Sequence, residues 1–593
     1  MPMETAPLTR TSRIPKSAIV RNYEGSVRGV FFAICLILGF LQAWSSRKEL
    51  GSDTVAYLDM GDQFWRGHWG MAINGIWTPL YGVILDLGIR LFHPSLYWVF
   101  PLVHAIVFLV FLVTMWSFDF FLRELIRWRR ESESDRELPV PAWIWLTLGY
   151  SFFSWGTLRL ISVSETRPDM LVAASFFIAC GLLVKMRRRK AGWPTYLTLG
   201  LVLGASYLTK PIMFPVSLVC LAGAFGCSIN SRQIRRACGA LLVFLAVTLP
   251  FIAALSKAKH KLTYSESGAY NYATYVDHFD AVHWQGEIPG AGKPIHPTRQ
   301  IFDRPAAFEF GGPLDVTYPV WYDQSYWSFG LKPRFDLHSQ LRVFAEISES
   351  EWATFFSLQG SMVAGLFVLL FVSGRKWSIL GDFSNYWFLL LPAIGALALY
   401  SLVHFEPRYT APFSIVTILC LFFSVHLPRS EDNRRVFSAV AVLVFVMFIY
   451  PLGIPSMHIK STVRDLLGRT EPDPNSSQEV AKDLQSLGLR PGDRIASMES
   501  SDYNAAVWAY LAQLRIVAEV HYFPHDLFDL SANNFWAVDS ATQAKALQSL
   551  SRTGAIAAVS QFAPPSAVSS GWKHVGDSQY YLYWLQPAAQ SSR

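Results

Sequence analysis

Three short polar groups stand out from an otherwise apolar chain, and each contains residue types able to do chemistry. The first is Gly51-Ser52-Asp53-Thr54-Val55-Ala56-Tyr57-Leu58-Asp59-Met60-Gly61-Asp62. Read as a helix, it sets Asp53, Ala56, Tyr57 and Met60 on one face and Asp59, Asp62 and Arg66 mostly on another. A single carboxylate then faces the protein, where it is able to take a proton from a hydroxyl. Asp53 is also well suited to cap that helix, and the roles are compatible because a helix N-terminus fixes a carboxylate in space. The second group is Glu165-Thr166-Arg167-Pro168-Asp169, a tight turn in which Pro168 favours an extended residue before it and a helix start after it. As a bare structural motif, its charges form surface ion pairs worth little. The third combines Lys210, in Leu208-Thr209-Lys210-Pro211, with His404-Phe405-Glu406-Pro407-Arg408-Tyr409. Singly, Lys210 snorkels to an interface and Arg408 anchors there. Together at one membrane face, two cations and a carboxylate suit an anionic lipid headgroup.

Composition dictates what must position these groups. The chain has 593 residues, 52% hydrophobic, 15% aromatic and 16% charged, with a mean hydropathy of +0.26, too apolar for a water-soluble protein. With 43 Phe, 24 Tyr and 21 Trp to be packed or placed at interfaces, disorder and fibrous repeats are excluded. The net charge of +7 sits mostly in short loops, which favours contact with an anionic lipid bilayer over nucleic acid. Cys35, Cys180, Cys220, Cys227, Cys238 and Cys420 lie in or beside apolar stretches and form no disulfide or zinc-finger spacing. Cys220 and Cys227, a heptad apart, read as core packing rather than metal ligands.

Charge fixes the expected topology. The first apolar span, Val30 to Trp44, follows five basic residues, which puts residues 1–28 in the cytoplasm as a tail and keeps the span as an anchor. Pro79 to Phe92 contains Asp86 and Arg90 and is too short to cross, so it reads as interfacial. Leu96 to Leu122 crosses and ends in the Arg123–Arg136 cluster, leaving 46–95 as an extracytoplasmic loop. The same parity continues through Trp143 to Ile161, Met170 to Val184, a hairpin of two spans from Tyr196 to Phe225 with Lys210 at its tip, Ala240 to Leu255, Phe355 to Val372, Tyr386 to Leu402, Pro412 to Val425 and Phe437 to Leu452. This makes about eleven crossings, an all-α polytopic membrane domain over 29–455, with all three polar groups on the extracytoplasmic side.

Two water-exposed regions complete the chain. Residues 257–351 form a second extracytoplasmic loop. Its Tyr264, Tyr270, Tyr272, Tyr275, Trp284, Trp321, Tyr322, Tyr326 and Trp327 suit either a lid that packs on sugar rings or an aromatic belt, with Gly290, Gly292, Pro294 and Pro297 shaping turns. His278, His283 and His296 lack a compact ligand spacing, which argues against a metal among them. Residues 456–593 read as an extracytoplasmic α/β domain. Ser476 and Glu479 form a capping box for a helix ending at Gly488. Strands follow at Arg494 to Met498, Arg515 to Val520, Ala555 to Val559 and Tyr580 to Leu585, with helices near Asn504 to Leu514 and Thr542 to Leu550. No Gly-rich phosphate loop marks this domain as a nucleotide site.

The order of Asp53 and Tyr57 after a single anchor, then Arg167-Pro168-Asp169, Leu208-Thr209-Lys210-Pro211 and Arg408-Tyr409, resembles the GT-C class of membrane glycosyltransferases. The resemblance is especially to bacterial relatives of protein mannosyltransferases and lipid A aminoarabinose transferases, over roughly residues 25–455. The resemblance implies transfer of a sugar from a polyprenyl-phosphate donor to a glycan, lipid or protein acceptor at the outer face of the bacterial inner membrane. It implies Asp53 as catalytic base, and it leaves a divalent cation as a possible cofactor. Asp53-Thr54 departs from the Asp-Glu of many relatives. Tyr57, Glu165, Arg167, Asp169, Lys210, His404, Glu406, Arg408 and Tyr409 are the expected donor-phosphate and substrate residues. The chemistry is self-consistent: Asp53 takes the acceptor proton in a single inverting displacement, and Lys210 and Arg408 stabilise the departing phosphate. The rivals are a transporter or flippase of lipid-linked sugars and an inactive scaffold; charges clustered at one face, without inverted repeats, speak for the enzyme.

Overall fold

The computed structural model describes residues 16–133, 137–279, 282–311, 315–373, 378–452, 462–468, 473–499, 505–521 and 534–585. Helix α1 (Lys16–Ser45) is followed by α2 (Ser52–Trp65) and α3 (Pro79–Phe92). Then come α4 (Val99–Ser132), α5 (Ala142–Trp155), α6 (Asp169–Arg187), α7 (Trp193–Thr209), α8 (Met213–Gly226) and α9 (Ser231–Ala258). After α10 (Ser267–Tyr275) and the single-turn helices α11 (Pro319–Tyr322) and α12 (Gln324–Trp327), the bundle resumes with α13 (Leu337–Ser373), α14 (Ser378–Ser384), α15 (Trp387–Ser401), α16 (Pro407–Phe423) and α17 (Glu431–Leu452). Every span expected from the sequence falls on one of α1, α4 to α9, α13 or α15 to α17. Among the described residues, Glu24–Ser45, Leu96–Ser132, Asp169–Arg187 and Ser231–Ala258 are long and apolar enough to cross a bilayer, and Met213–Gly226, Met362–Ser373, Trp387–Ser401 and Pro407–Phe423 are shorter apolar helices.

The direction of the chain is fixed by polar contacts inside the bundle. Thr114 Oγ1 on α4 donates to the carbonyl of Met170 at the start of α6, at 3.0 Å. Arg188, just past the end of α6, reaches Glu131 near the end of α4 at 2.6 Å and also pairs with Glu124. The two helices are therefore parallel, both running toward their arginine-rich ends. The arginine-rich ends gather together, with Arg28 bidentate on Asp119 at 2.9 and 3.0 Å and Arg130 on Glu24 at 3.0 Å. The 165–169 turn lies toward the opposite end.

α5 runs into a π-helical turn, Gly156–Ile161, which closes at Ser162 with φ 65°. A π turn frees backbone groups from the regular ladder. Gln42 of α1 takes them up, donating to the Leu158 carbonyl at 2.7 Å and accepting from Val163 N–H at 3.0 Å. This clamp sets the exit direction of the chain just ahead of Glu165.

The α/β unit holds a seven-stranded sheet in the order β1-β2-β4-β3-β5-β7-β6. Its strands are β1 (Arg299–Phe302), β2 (Ala307–Glu309), β3 (Arg494–Ser497), β4 (Arg515–Val520), β5 (Ala557–Ser560), β6 (Lys573–His574) and β7 (Tyr581–Trp584). β3 lies parallel to β4 and β5, and β2 runs antiparallel to β4. α18 (Ser477–Ser486), α19 (Ala505–Leu511) and α20 (Ser540–Ser551) are the helices of this unit. Ser476 accepts from Glu479 N–H at 3.5 Å, but the Glu479 carboxylate turns to Tyr97 and Lys482 instead of closing the box. β1 and β2 belong to the 257–351 segment, so that segment and the C-terminal region share one sheet. They share a core as well: Phe310, Tyr318 and Trp327 pack with Leu484, Ile495 and Trp508, and with Val55 of α2. Trp284, Tyr322 and Trp327, named above as candidate stacking faces, are buried.

α2 and α3 pack at backbone contact. A Cβ on Gly61 would strike the Gly82 carbonyl, and a Cβ on Gly82 would strike the Tyr57 carbonyl. Gly82→Val is expected to force these helices apart at a cost of about 1–3 kcal/mol, lowering the thermal midpoint of the detergent-solubilised protein. A variant that melts with wild type would refute the close-packed contact.

Candidate functional site

α2 begins at Gly51, whose backbone is extended, and no side chain caps its first turn. Asp53 is therefore not the cap that its residue type permits. Its carboxylate points across to the 165–169 turn, where Arg167 Nε lies 3.2 Å from Asp53 Oδ2 and Arg167 Nη1 lies 3.5 Å from Glu165 Oε2. The Asp53 side chain keeps 19% of its surface exposed. Next to it, Thr54 Oγ1 bonds the Thr166 carbonyl at 2.9 Å and the Thr166 hydroxyl at 2.6 Å, which pins the start of α2 to the same turn.

Asp169 opens α6 and is buried. Lys210, extended just past α7, donates to Asp169 Oδ1 at 2.6 Å. Arg408, in the first turn of α16, places Nη1 3.8 Å from Asp169 Oδ2. A carboxylate buried at the head of an apolar helix must be paired, and its partners come from the next helix and from the much later α16. Tyr409 joins the cations from the other side: its hydroxyl accepts from Arg408 Nη2 at 3.0 Å, and Lys210 Nζ sits 3.4 Å from its ring centroid. That ring stacks on Tyr400 at 5.2 Å. Asp53 is close enough to act electrostatically on Lys210, Arg408 and Tyr409. Asp53, Arg167, Asp169, Lys210, Arg408 and Tyr409 thus converge around one turn.

The remaining expected residues occupy the rim or the support. His404 lies 3.6 Å from Glu406 and holds its carboxyl below the usual range. The His404 ring stacks on Tyr275 of α10 at 3.9 Å, so the 257–351 segment touches the cluster here. Tyr57 is buried beneath Asp53 against Trp77 and Tyr81, with ring centroids 5.2 and 5.1 Å away. Two cavities of about 610 and 750 Å³ open beside Trp44, Arg47 and Trp98, and none of their lining residues belongs to the cluster.

Sequence patterning missed the second buried face of α2. Asp59 is buried and accepts from Thr317 N–H and Thr317 Oγ1, each at 3.0 Å. The Thr317 carbonyl accepts in turn from Ile516 N–H of β4 at 2.9 Å. No local signal marks this contact, because its partner lies 258 residues away.

No family model matches the sequence, and no curated protein matches it. The chain is similar in structure to ArnT from Cupriavidus metallidurans in the apo state, at 12% identity and a TM-score of 0.47, over 93% of this chain and 96% of that one. The same protein bound to undecaprenyl phosphate matches at 11% identity and a TM-score of 0.47, over 93% and 97%. The oligosaccharyltransferase of Archaeoglobus fulgidus tethered with an acceptor peptide matches at 12% identity and a TM-score of 0.44, over 92% of this chain and 70% of that one.

Burial pushes the Asp59 carboxyl up from 3.8 to about 7, against the two bonds from Thr317. Burial likewise pushes Glu499 up from 4.5 to about 7. Both folded values lie above the ordinary ones, so this contribution to stability is complete below about pH 4 and is lost as pH rises through about 7. Asp59→Asn is expected to flatten part of the fall in thermal midpoint between about pH 5 and 8, and D59N/E499Q to flatten more. A double variant with the wild-type slope would contradict the assignment.

Proposed function

We propose that the protein is a polyprenyl-phosphate-dependent glycosyltransferase of the GT-C kind, working at the extracytoplasmic face of a bacterial cytoplasmic membrane. The observation that carries this reading is the meeting of Asp53 with the Lys210–Asp169–Arg408 cluster on the 165–169 turn. A base and a pair of cations within reach of one small group are what sugar transfer from a lipid phosphate requires.

In the proposed reaction, Arg167 orients Asp53 through Oδ2, which leaves Oδ1 for an acceptor hydroxyl. Asp53 removes the hydroxyl proton as the oxygen attacks the anomeric carbon, and the bond to the phosphate oxygen breaks on the opposite face, inverting the centre. The departing polyprenyl phosphate has a second pKa near 6, so it leaves as an anion without a general acid. Lys210 and Arg408 meet the growing charge. Asp169 occupies part of their donor capacity, but an ammonium has three donors and a guanidinium five, so both keep groups for the phosphate oxygens. Tyr409 holds the two cations at a fixed separation. The acceptor is a glycan, a lipid or a protein, and the prenyl chain lies between helices.

Two experiments test this reading in lipid nanodiscs. Asp53→Asn is expected to lower transfer from a polyprenyl-phosphate sugar by about 10²–10⁴-fold with donor binding retained, and the product anomer should be inverted relative to the donor. Lys210→Ala and Arg408→Ala are each expected to weaken undecaprenyl phosphate binding about 10- to 100-fold, as the loss of a charge-assisted bond does. Full transfer by D53N, or lipid flipping without transfer in wild type, would end the proposal.

A further inference from the structure

Away from the cluster, two imidazoles and a carboxylate converge on one face of the sheet. β4 ends at Val520 with Glu519 before it and His521 after it, and strand alternation sets Glu519 and His521 on the same side. Phe308 of β2 is paired directly opposite Glu519, and His521 N–H continues that ladder to the Ala306 carbonyl at 2.8 Å. His283, from the segment after α10, lies over this face. Its ring is stacked on Phe308 with centroids 4.2 Å apart and stands edge-on to His521 at 4.8 Å. One ligating atom from each of His283, Glu519 and His521 falls within 4.8 Å of the others.

The surroundings of these groups are those of a metal ligand set. Glu519 is 0% exposed, and a buried carboxylate is either paired or bound to a cation. Its Oε2 accepts from the Tyr318 hydroxyl at 2.9 Å, and its Oε1 lies 2.7 Å from His283 Nε2. The other nitrogen of His283, Nδ1, is 3.0 Å from Thr298 Oγ1. With Nδ1 as donor, Nε2 carries the lone pair, the outer-shell arrangement that orients a ligating histidine. His521 is only partly buried and gives a path from solvent.

We propose that His283, Glu519 and His521 bind a divalent transition metal that staples the 257–351 segment to β4. Two imidazoles and a carboxylate are a zinc ligand set with a fourth position left for water, and imidazole donors disfavour magnesium and calcium. Tetrahedral zinc needs ligand atoms about 3.4 Å apart, from bond lengths of about 2.0–2.2 Å. The His283–Glu519 pair therefore opens slightly and His521 closes in. None of the three ligands belongs to the Asp53 cluster, and the metal does not depend on the transfer chemistry. Its consequence is mechanical: the segment whose Tyr275 touches His404 becomes cross-linked to the C-terminal sheet, and metal binding adds to the stability of that fold.

The full-length protein, stripped with EDTA and titrated with cobalt(II), decides the matter. Wild type is expected to take up one equivalent with visible d–d absorption, to lose that absorption when zinc is added, and to melt higher with zinc than without. His521→Gln and Glu519→Gln should weaken uptake at least 100-fold, and Thr298→Ala, which removes only the outer-shell partner, about 10- to 100-fold. Wild type that binds no cobalt overturns the proposal whatever the variants do. Uptake left intact in both H521Q and E519Q overturns it as well, because the metal would then sit elsewhere.

Discussion

The Asp169 carboxylate, buried between Lys210 and Arg408, is the constraint on which the rest of the site depends. It opens an apolar helix, where an ion without partners is unaffordable, and its two partners arrive from the end of α7 and the start of α16. Removing one partner of such a buried set costs about 3–5 kcal/mol, because a charge is left uncompensated. The consecutive helices α6 and α7 and the much later α16 are therefore held at one level of the bundle by a single carboxylate. Arg167, two residues earlier on the same turn, carries the constraint onward to Asp53.

Asp53 is held from the other side through its own helix. Thr54 is bonded to Thr166, Gly61 and Gly82 let α3 approach at backbone distance, and Asp59 ties α2 through Thr317 to β4. These contacts come from three different elements: the 165–169 turn, α3 and the segment around Thr317. A carboxylate fixed this way needs no further ordering, and fixed geometry is where most of the benefit of positioning lies. Gln42 serves the same end upstream, since a π turn with unmet backbone groups would let the 165–169 turn drift.

Hydropathy and loop charge were enough to locate the helices of the bundle, because a chain in lipid must satisfy its backbone locally and has little choice but helix. The α/β strands were legible as short runs between turn signals, and Arg515 to Val520 coincides with β4. Long-range pairing left no such trace. β1 and β2 are short and bounded by turn residues, and they become strands only because β4 offers an open edge. The capping reading of Asp53 failed because Thr54 and Arg167 fix the helix start without a side-chain cap. The face of α2 bearing Asp59 looked solvated because its cover, around Thr317, lies far along the chain. His283 showed nothing among its sequence neighbours; its partners Glu519 and His521 are supplied by a strand from the other end of the protein.

The charge balance of the cluster explains why Asp169 and the two cations belong together. Lys210 or Arg408 alone would snorkel away from the bundle toward water. Asp169 draws both inward, yet it saturates neither: Lys210 takes Oδ1, Arg408 stays 3.8 Å from Oδ2, and Arg408 Nε is buried with no hydrogen-bond partner among the described residues. An unmet buried donor costs about 1–3 kcal/mol, a strain that an incoming anionic oxygen relieves more strongly than a neutral one, because the bond is charge-assisted. By this reasoning the carboxylate does more than neutralise its neighbours. It holds two cations in a place they would otherwise leave, with donors still open, so that part of the preference for an anionic group is present before any ligand arrives.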